Sequence, residues 1–257
     1  MAIEANIHPK AKIGPGTVVE PFATIYEDVV IGENCWIGPG AVIMDGARIG
    51  NNCKIFPGAV ISAIPQDLKY QGEYTTTEIG DNCQIRECVT INKGTVDKNK
   101  TQIGKNCLLM AYVHIAHDCI VGDHVIIANS VNVAGHVNIQ DYVIIEGAAA
   151  IQQFLTLGAH CFVGGGSLVR KNVPPYVKAA REPLSYIGVN TIGLKRRGFK
   201  DKEIIEIEDF YRLIYVHNNN VTKALKIAEL EIPASEHKDL ILNFINNAEK
   251  GIIRGMS

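Results

Sequence analysis

The sequence predicts an all-β domain, a parallel β-helix of hexapeptide repeats, followed by a small C-terminal α-helical domain. The main observation is a period of six. Every sixth position from Ile7 to Val169 holds Ile, Leu or Val at 25 of 28 places, and the exceptions are Asp67, Glu73 and Asp97. This period fits neither a helix at 3.6 residues nor a strand at two. It is typical of a prism whose coils have three short sides, with the periodic residue facing inward.

Glycine often follows the periodic residue, as at Gly14, Gly32 and Gly50. Because glycine adopts backbone angles that other residues avoid, this pattern predicts tight corners with unusual dihedral angles.

Two segments leave the period and predict loops extruded from the prism, near residues 62–78 and 93–101. Loops that leave a rigid scaffold commonly carry function.

The period ends at a proline pair, Pro174 and Pro175, which cannot continue a central strand. We therefore expect a β-helix domain over residues 1–185 and a helical domain over residues 186–257. Three helices are predicted in the second domain. The first follows Lys200 and has one apolar face, made of Ile204, Ile207, Tyr211 and Ile214. The second covers Val221 to Leu230, and the third covers residues 236–250 after an N-cap at Ser235.

The composition excludes several classes of protein. The net charge is −2 at pH 7, so nothing global indicates a nucleic acid or a membrane surface as partner. No segment reaches the roughly 20 apolar residues of a transmembrane segment. The N-terminus lacks the pattern of a signal peptide. We therefore expect a soluble, cytoplasmic protein.

Candidate catalytic residues lie in the segment from His114 to Asp118. Ile115 faces inward, so His114 and His117 should face outward. Residues 18 apart stack in successive coils, which predicts two files on the surface. One contains His117, Gly135 with His136, and Gln153; the other contains Ala111, Asn129, Gly147 and Gly165, whose glycines would leave a groove.

A histidine beside a carboxylate is a usual general base, and a glycine N–H nearby could bind an oxyanion. Two other readings stay open at this point. Three histidines near one spot, His114, His117 and His136, would suit zinc, as in hexapeptide prisms that act as carbonic anhydrases, and would predict tightly bound metal. A non-catalytic scaffold would predict no effect of replacing His117.

Several motifs together resemble the UDP-N-acetylglucosamine O-acyltransferases that use acyl carrier protein in the first step of lipid A biosynthesis. They are Pro65 to Tyr70, Ile85 to Glu87, Ile91 to Thr95, His114 to Cys119, Ala134 to His136, Gln153 with Phe154, and Asn190 followed by Gly193 to Phe199. The resemblance implies a left-handed prism and a homotrimer with active sites between neighbours. The donor would be an (R)-3-hydroxyacyl group on the phosphopantetheine of acyl carrier protein, with no other cofactor and no metal.

The resemblance also implies residue roles. His117 would take the proton from the sugar 3-hydroxyl, Asp118 would hold and polarise the site, and Gly135 would donate to the oxyanion. The substrate-binding set would be Gln66, Asp67, Lys69 and His114 for the sugar and acyl chain, His136, Gln153, Asn190, Arg196 and Arg197 for UDP, and Gly147 and Gly165 for the acyl groove. Alternatively, the basic residues near Arg196 would dock the acidic carrier protein.

In this family, Gly165 marks a ruler position, and its lack of a side chain predicts a long acyl donor. Three residues depart from the commoner pattern: Gln152, Ile192 and Glu146. These departures leave open whether the acceptor sugar carries a 3-hydroxyl or a 3-amino group.

Six of the seven cysteines lie four positions after a periodic residue, where this family takes small inward residues. Cysteine behaves there as a small apolar group. We expect these cysteines to be structural.

Overall fold

A computed structural model describes residues 4–216 and 221–255. Its strands form three sheets, which are the three faces of a prism and are called faces A, B and C in chain order. Face A contains β1 (Asn6–Ile7), β4 (Thr24–Ile25), β7 (Val42–Ile43), β10 (Val60–Ala63), β13 (Thr90–Asn92), β16 (His114–Ile115), β19 (Asn132–Val133), β22 (Ala150–Ile151) and β25 (Leu168–Val169).

Face B contains β2 (Lys12–Ile13), β5 (Val30–Ile31), β8 (Ala47–Ile49), β11 (Thr76–Ile79), β14 (Lys100–Ile103), β17 (Ile120–Val121), β20 (Asn138–Ile139) and β23 (Thr156–Leu157). Face C contains β3 (Val18–Val19), β6 (Trp36–Ile37), β9 (Lys54–Ile55), β12 (Gln84–Ile85), β15 (Leu108–Leu109), β18 (Ile126–Ile127), β21 (Ile144–Ile145), β24 (Phe162–Val163), β26 (Val177–Ala180) and β27 (Ser185–Val189).

The register confirms the predicted parallel β-helix, which is followed by a small helical part. Strands pair in parallel with the strand three places on, so that Ile115 lies beside Val133 and Val133 beside Ile151, each 18 residues apart. The periodic side chains fill the interior, and Ile115 and Val133 are completely buried. The edges are named by the faces they join: the AB, BC and CA edges.

The explanation predicted for the glycines that follow the periodic residues was wrong: these glycines are not where the corner needs unusual dihedral angles. Positive φ angles occur two residues later in the corner, at positions such as Asn34, Asn52, Asp118 and His136. Glycine is needed after the periodic residue because the next coil lies too close: a Cβ on Gly104 would lie 2.5 Å from the carbonyl of Gly122.

The cysteines have the structural role that their spacing predicts. The six on the inward position are buried, and the seventh, Cys88, is partly buried; none forms a disulfide. The Cys83 thiol donates to the Gly104 carbonyl oxygen at 3.0 Å, and the Cys119 thiol to that of Ala134 at 3.1 Å. Burial raises the pKa of Cys119 to about 12, so it is a poor nucleophile at neutral pH.

The prism does not stop at the proline pair. The corner before the prolines, between Val169 and Val173, is two residues shorter than usual, so that Val173 lies beside Leu157, and β26 then joins β24 with Phe162 opposite Lys178. The antiparallel strand β27 then covers β26 and ends the sheet. The prolines lie between strands, where no ladder hydrogen bond is required of them.

The described tail contains helices α1 (Thr191–Arg196), α2 (Asp201–Tyr215), α3 (Val221–Glu231) and α4 (Glu236–Asn246). Helix α1 was not predicted, because it is only six residues long and carries one buried side chain, Leu194. Helix α4 begins at its predicted N-cap, Ser235, but ends four residues earlier than expected. It stops at Asn247, whose backbone angles of φ −93° and ψ 4° leave the helical region. None of the helices described is long and apolar enough to span a membrane.

Candidate active site

Both extruded loops and the His117 segment share the AB edge. The first loop runs over residues 64–75 between β10 and β11, the second over residues 93–99 between β13 and β14, and His117 lies between β16 and β17. The two loops are joined: the Thr75 hydroxyl donates to the Gly94 carbonyl oxygen at 2.6 Å. Loops and histidine therefore belong to one surface region.

His117 and Asp118 form a hydrogen-bonded pair at this edge. His117 Nδ1 lies 2.8 Å from Asp118 Oδ2, and the two side chains are 12% and 0% exposed. A carboxylate on Nδ1 fixes the proton on that nitrogen, which leaves Nε2 as the acceptor. This is the arrangement that a general base requires.

The second loop clamps the Asp118 carboxylate. Oδ1 accepts from the backbone N–H of Thr95 and Lys98 at 3.0 and 3.2 Å, and Oδ2 accepts from the Thr95 hydroxyl at 2.7 Å. Burial acts to raise the pKa of Asp118, but the hydrogen bonds from Thr95 and His117 outweigh it and hold the pKa below its usual range. Asp118 is therefore ionised at neutral pH.

Gly135 lies directly over the His117 ring in the next coil. A Cβ on Gly135 would lie 2.8 Å from His117 Nε2, so any larger residue would displace the imidazole. Within the described residues, the Gly135 N–H has no hydrogen-bond acceptor. The absence of a side chain on Gly135 thus lets the His117 ring lie against the Gly135 backbone, whose N–H has no acceptor among the described residues.

His136 is fixed beside this pair by three neighbours. Its Nδ1 lies 3.1 Å from Asp97 Oδ2 on the second loop. Its ring stacks on Phe154 with centroids 4.4 Å apart and meets the His117 ring edge-on at 5.0 Å. Gln153, which precedes Phe154, is exposed on the same edge.

His114 lies on face A one residue before the corner. Its Nδ1 lies 2.7 Å from the Thr90 hydroxyl oxygen of the preceding coil. Burial, together with the neighbouring His117, lowers the pKa of His114. His114 is therefore neutral at neutral pH and acts through hydrogen bonds rather than charge.

The first loop presents Gln66 and Lys69 to solvent. Asp67 organises a turn, with its Oδ1 accepting from the Lys69 N–H at 3.0 Å. Leu68 at the tip is fully exposed.

The predicted groove lies on a different edge. Gly147 and Gly165 are on the CA edge, where the Glu146 carboxylate bonds the Gly165 N–H at 3.1 Å. A Cβ on Gly165 would lie 3.3 Å from the Gly147 carbonyl oxygen, so a side chain fits with a small adjustment.

The predicted nucleotide ligands from the helical part lie on the BC edge. Asn190 is nearly buried, and its two amide atoms bond the Gly193 N–H and the His160 carbonyl oxygen. Arg196 is exposed. Arg197 covers the Tyr142 ring at 5.4 Å, and its buried Nη1 has no hydrogen-bond partner in the part of the chain described. The three groups of predicted site residues thus occupy three edges of one prism.

A metal could be considered at the AB edge, since ligand atoms of His117, Asp118 and His136 lie within 4.8 Å of one another. The Asp118 oxygens, however, already accept four hydrogen bonds. A metal there would have to displace donors from a buried carboxylate, which is costly.

Sequence reasoning assigned no role to the groups that organise this edge, which are Thr95, Asp97, Lys98 and Phe154, although Thr95 and Phe154 lie within the motifs quoted above. A signal existed for one of them, because Asp97 is among the three exceptions to the six-residue period. The others reveal their roles only through contacts between coils.

Comparisons with known proteins agree with this architecture. The family model described as UDP-N-acetylglucosamine O-acyltransferase, domain 2, matches residues 172–253. The bacterial transferase hexapeptide model matches residues 28–63 and 100–135.

Relatives cover nearly the whole chain. The acyl-[acyl-carrier-protein]–UDP-N-acetylglucosamine O-acyltransferase of Thiobacillus denitrificans is 41% identical over 97% of this chain and 100% of its own length. Among solved structures, the UDP-N-acetylglucosamine acyltransferase of Bacteroides fragilis is 48% identical with a TM-score of 0.96, covering 99% of this chain and 100% of its own. That of Francisella novicida is 37% identical with a TM-score of 0.92, covering 97% and 92%. The chain therefore belongs to the acyl-[acyl-carrier-protein]–UDP-N-acetylglucosamine O-acyltransferase family.

Proposed function

We propose that this protein transfers an (R)-3-hydroxyacyl group from acyl carrier protein to the 3-hydroxyl of UDP-N-acetylglucosamine, the first step of lipid A biosynthesis. The observation that carries the proposal is the His117–Asp118 pair, with the Gly135 backbone lying directly over the imidazole. The reaction takes place in the cytoplasm. Membership of the family does not favour the zinc-dependent alternative.

The chemistry needs a base, an oxyanion donor and positioning. His117 Nε2 takes the proton of the sugar hydroxyl as that oxygen attacks the thioester carbonyl. The Gly135 N–H stabilises the negative oxygen of the tetrahedral intermediate. When the carbon–sulfur bond breaks, the imidazolium returns the proton to the departing phosphopantetheine sulfur. The Asp118 carboxylate stabilises the imidazolium while it exists.

A homotrimer supplies the missing parts of the site. The candidate site residues of one chain lie on three separate edges, and a neighbouring chain could bring the groove and the arginines to the AB edge. Face C supports such packing, because its outward side chains Leu108, Ile126, Ile144 and Phe162 stack as an apolar file in successive coils. Apolar files of this kind favour burial against another surface.

We expect a solution mass three times the 28.0 kDa of the chain. Ile126→Glu should lower that mass to one chain, because a carboxylate in the middle of a buried apolar interface is costly. Sedimentation equilibrium measures the mass, and Lys54→Glu, in the same file but two coils before its apolar part, is the control. An unchanged mass in the Ile126 variant would reject face C as the interface.

The direct test uses purified protein, UDP-N-acetylglucosamine and a panel of 3-hydroxyacyl carrier proteins of different lengths, with products read by mass spectrometry. An acylated sugar nucleotide establishes the reaction and its preferred donor. No product with any donor would contradict the proposed acceptor, and the 3-amino sugar would then be tested.

Gly165→Met is expected to shift donor preference toward shorter acyl chains. The new side chain would enter the predicted groove beside Gly147, whose carbonyl oxygen lies 3.3 Å from the new Cβ and needs only a small adjustment. Excluding three methylenes at about 0.8 kcal/mol each lowers kcat/KM for the long donor about 50-fold.

A competition assay between a long and a short donor measures this shift. Retained kcat/KM for the short donor shows that the variant is folded. An unchanged preference would mean that the acyl chain does not lie against Gly165.

A further inference from the structure

The AB edge contains a second histidine–carboxylate pair whose role the proposed mechanism does not use. His136 Nδ1 lies 3.1 Å from Asp97 Oδ2 and 4.0 Å from Asp118 Oδ2. Of these two carboxylates, only that of Asp97, on the second loop, lies within hydrogen-bonding distance of the His136 nitrogen. His117 meanwhile bonds Asp118 at 2.8 Å.

We propose that Asp97 is a positioning residue that holds His136 in place to bind the sugar nucleotide and keeps it away from the catalytic carboxylate. The inference rests on the proposed function, in which His136 contacts the nucleotide. Each imidazole then has its own carboxylate, and Asp118 is left to His117 alone.

The surroundings explain why Asp97 can control this ring. The His136 side chain is 13% exposed, whereas that of Asp97 is 58% exposed. The His136 ring is stacked on Phe154 on one side and meets the His117 ring edge-on at another. Only a few orientations of the His136 ring are therefore possible, and the Asp97 carboxylate selects among them. A carboxylate on Nδ1 fixes both the tautomer and the orientation of an imidazole.

Asp97 is itself tied to the catalytic pair through Thr95. The Asp97 N–H donates to the Thr95 hydroxyl oxygen at 3.3 Å, and the same hydroxyl donates to Asp118 Oδ2. Thr95 therefore sets the position of both carboxylates, those of Asp97 and Asp118. The second loop is the element that arranges the two histidines relative to each other.

Asp97→Ala is expected to raise the KM for UDP-N-acetylglucosamine about tenfold with kcat within about threefold of wild type, the scale of one charge-assisted hydrogen bond. Calorimetry should show a matching rise in the Kd of the sugar nucleotide. His136→Ala should have a similar effect, and the double variant should be no worse than His136→Ala, because both act through one ring. Asp97→Asn keeps an acceptor oxygen and should recover part of the loss.

The matched control is Glu78→Ala, which removes a partly exposed carboxylate on strand β11, 2.9 Å from Lys100 just after the second loop, and should leave the KM unchanged. Multiplying effects in the double variant, or a KM within twofold of wild type in Asp97→Ala, would overturn the inference. So would a fall in kcat alone. If wild type itself transfers no acyl group, the proposed function fails instead, and the two failures are distinguished.

Discussion

Replacing His117 by alanine is expected to lower kcat about 1,000-fold without changing the fold. The imidazole is the proposed base, and a positioned general base contributes about 10² to 10⁴ in rate. Its removal leaves Gly135 and the binding residues in place, so weak residual transfer should remain. The side chain lies at the corner surface and is not part of the apolar interior, so the melting temperature should change little.

The measurement is initial-rate kinetics with the preferred donor. His124→Ala is the matched control, since that histidine is exposed on the BC edge and stacks on Tyr142 at 4.7 Å. It should keep near wild-type activity. If His117→Ala kept more than about a tenth of the wild-type rate, the base would have to be another group, in conflict with the magnitudes known for general bases.

Asp118→Asn is expected to impair both activity and stability. The carboxylate accepts four hydrogen bonds while fully buried, from Thr95 twice, Lys98 and His117. An asparagine would turn one acceptor oxygen into an NH2 group facing donors. Each unsatisfied buried donor costs about 1–3 kcal/mol. We therefore expect the unfolding free energy to fall by about 3 kcal/mol and kcat by about 100-fold, since the His117 tautomer is no longer held.

The loss of stability in Asp118→Asn should depend on pH. Because the pKa of Asp118 is lowered in the folded protein, its stabilising contribution is fully present above the unfolded-state pKa of about 3.9 and is lost as the pH falls through the folded pKa. The difference in melting temperature between wild type and the variant should therefore be largest near pH 7 and shrink in acid.

Asp141→Asn is the control, because this exposed residue keeps the acceptor oxygen that bonds the Asp123 N–H at 2.8 Å. It should match wild type in rate and melting temperature. A melting temperature of Asp118→Asn equal to that of Asp141→Asn would show that the loop does not depend on the carboxylate.

The sequence by itself determined the repeating part of the molecule. A six-residue period makes each coil 18 residues long, so the stacking of Gly135 on His117 follows from counting once the prism is recognised. The same period identifies the buried side chains and the inward cysteines. The period did not explain the corners. Glycines such as Gly104 are required there because the next coil lies close, and the positive φ angles occur two residues after these glycines.

Only the tertiary structure decided how the site is organised. The carboxylate of Asp118 is held by Thr95, 23 residues away, and His136 is held by Asp97, 39 residues away. Neither contact obeys the 18-residue spacing, because the second loop leaves the repeat and folds back over the next coils. The distribution of candidate residues over three edges is likewise a consequence of coil geometry. A local period records which residues face inward, whereas contacts made by an extruded loop depend on the three-dimensional path of the chain.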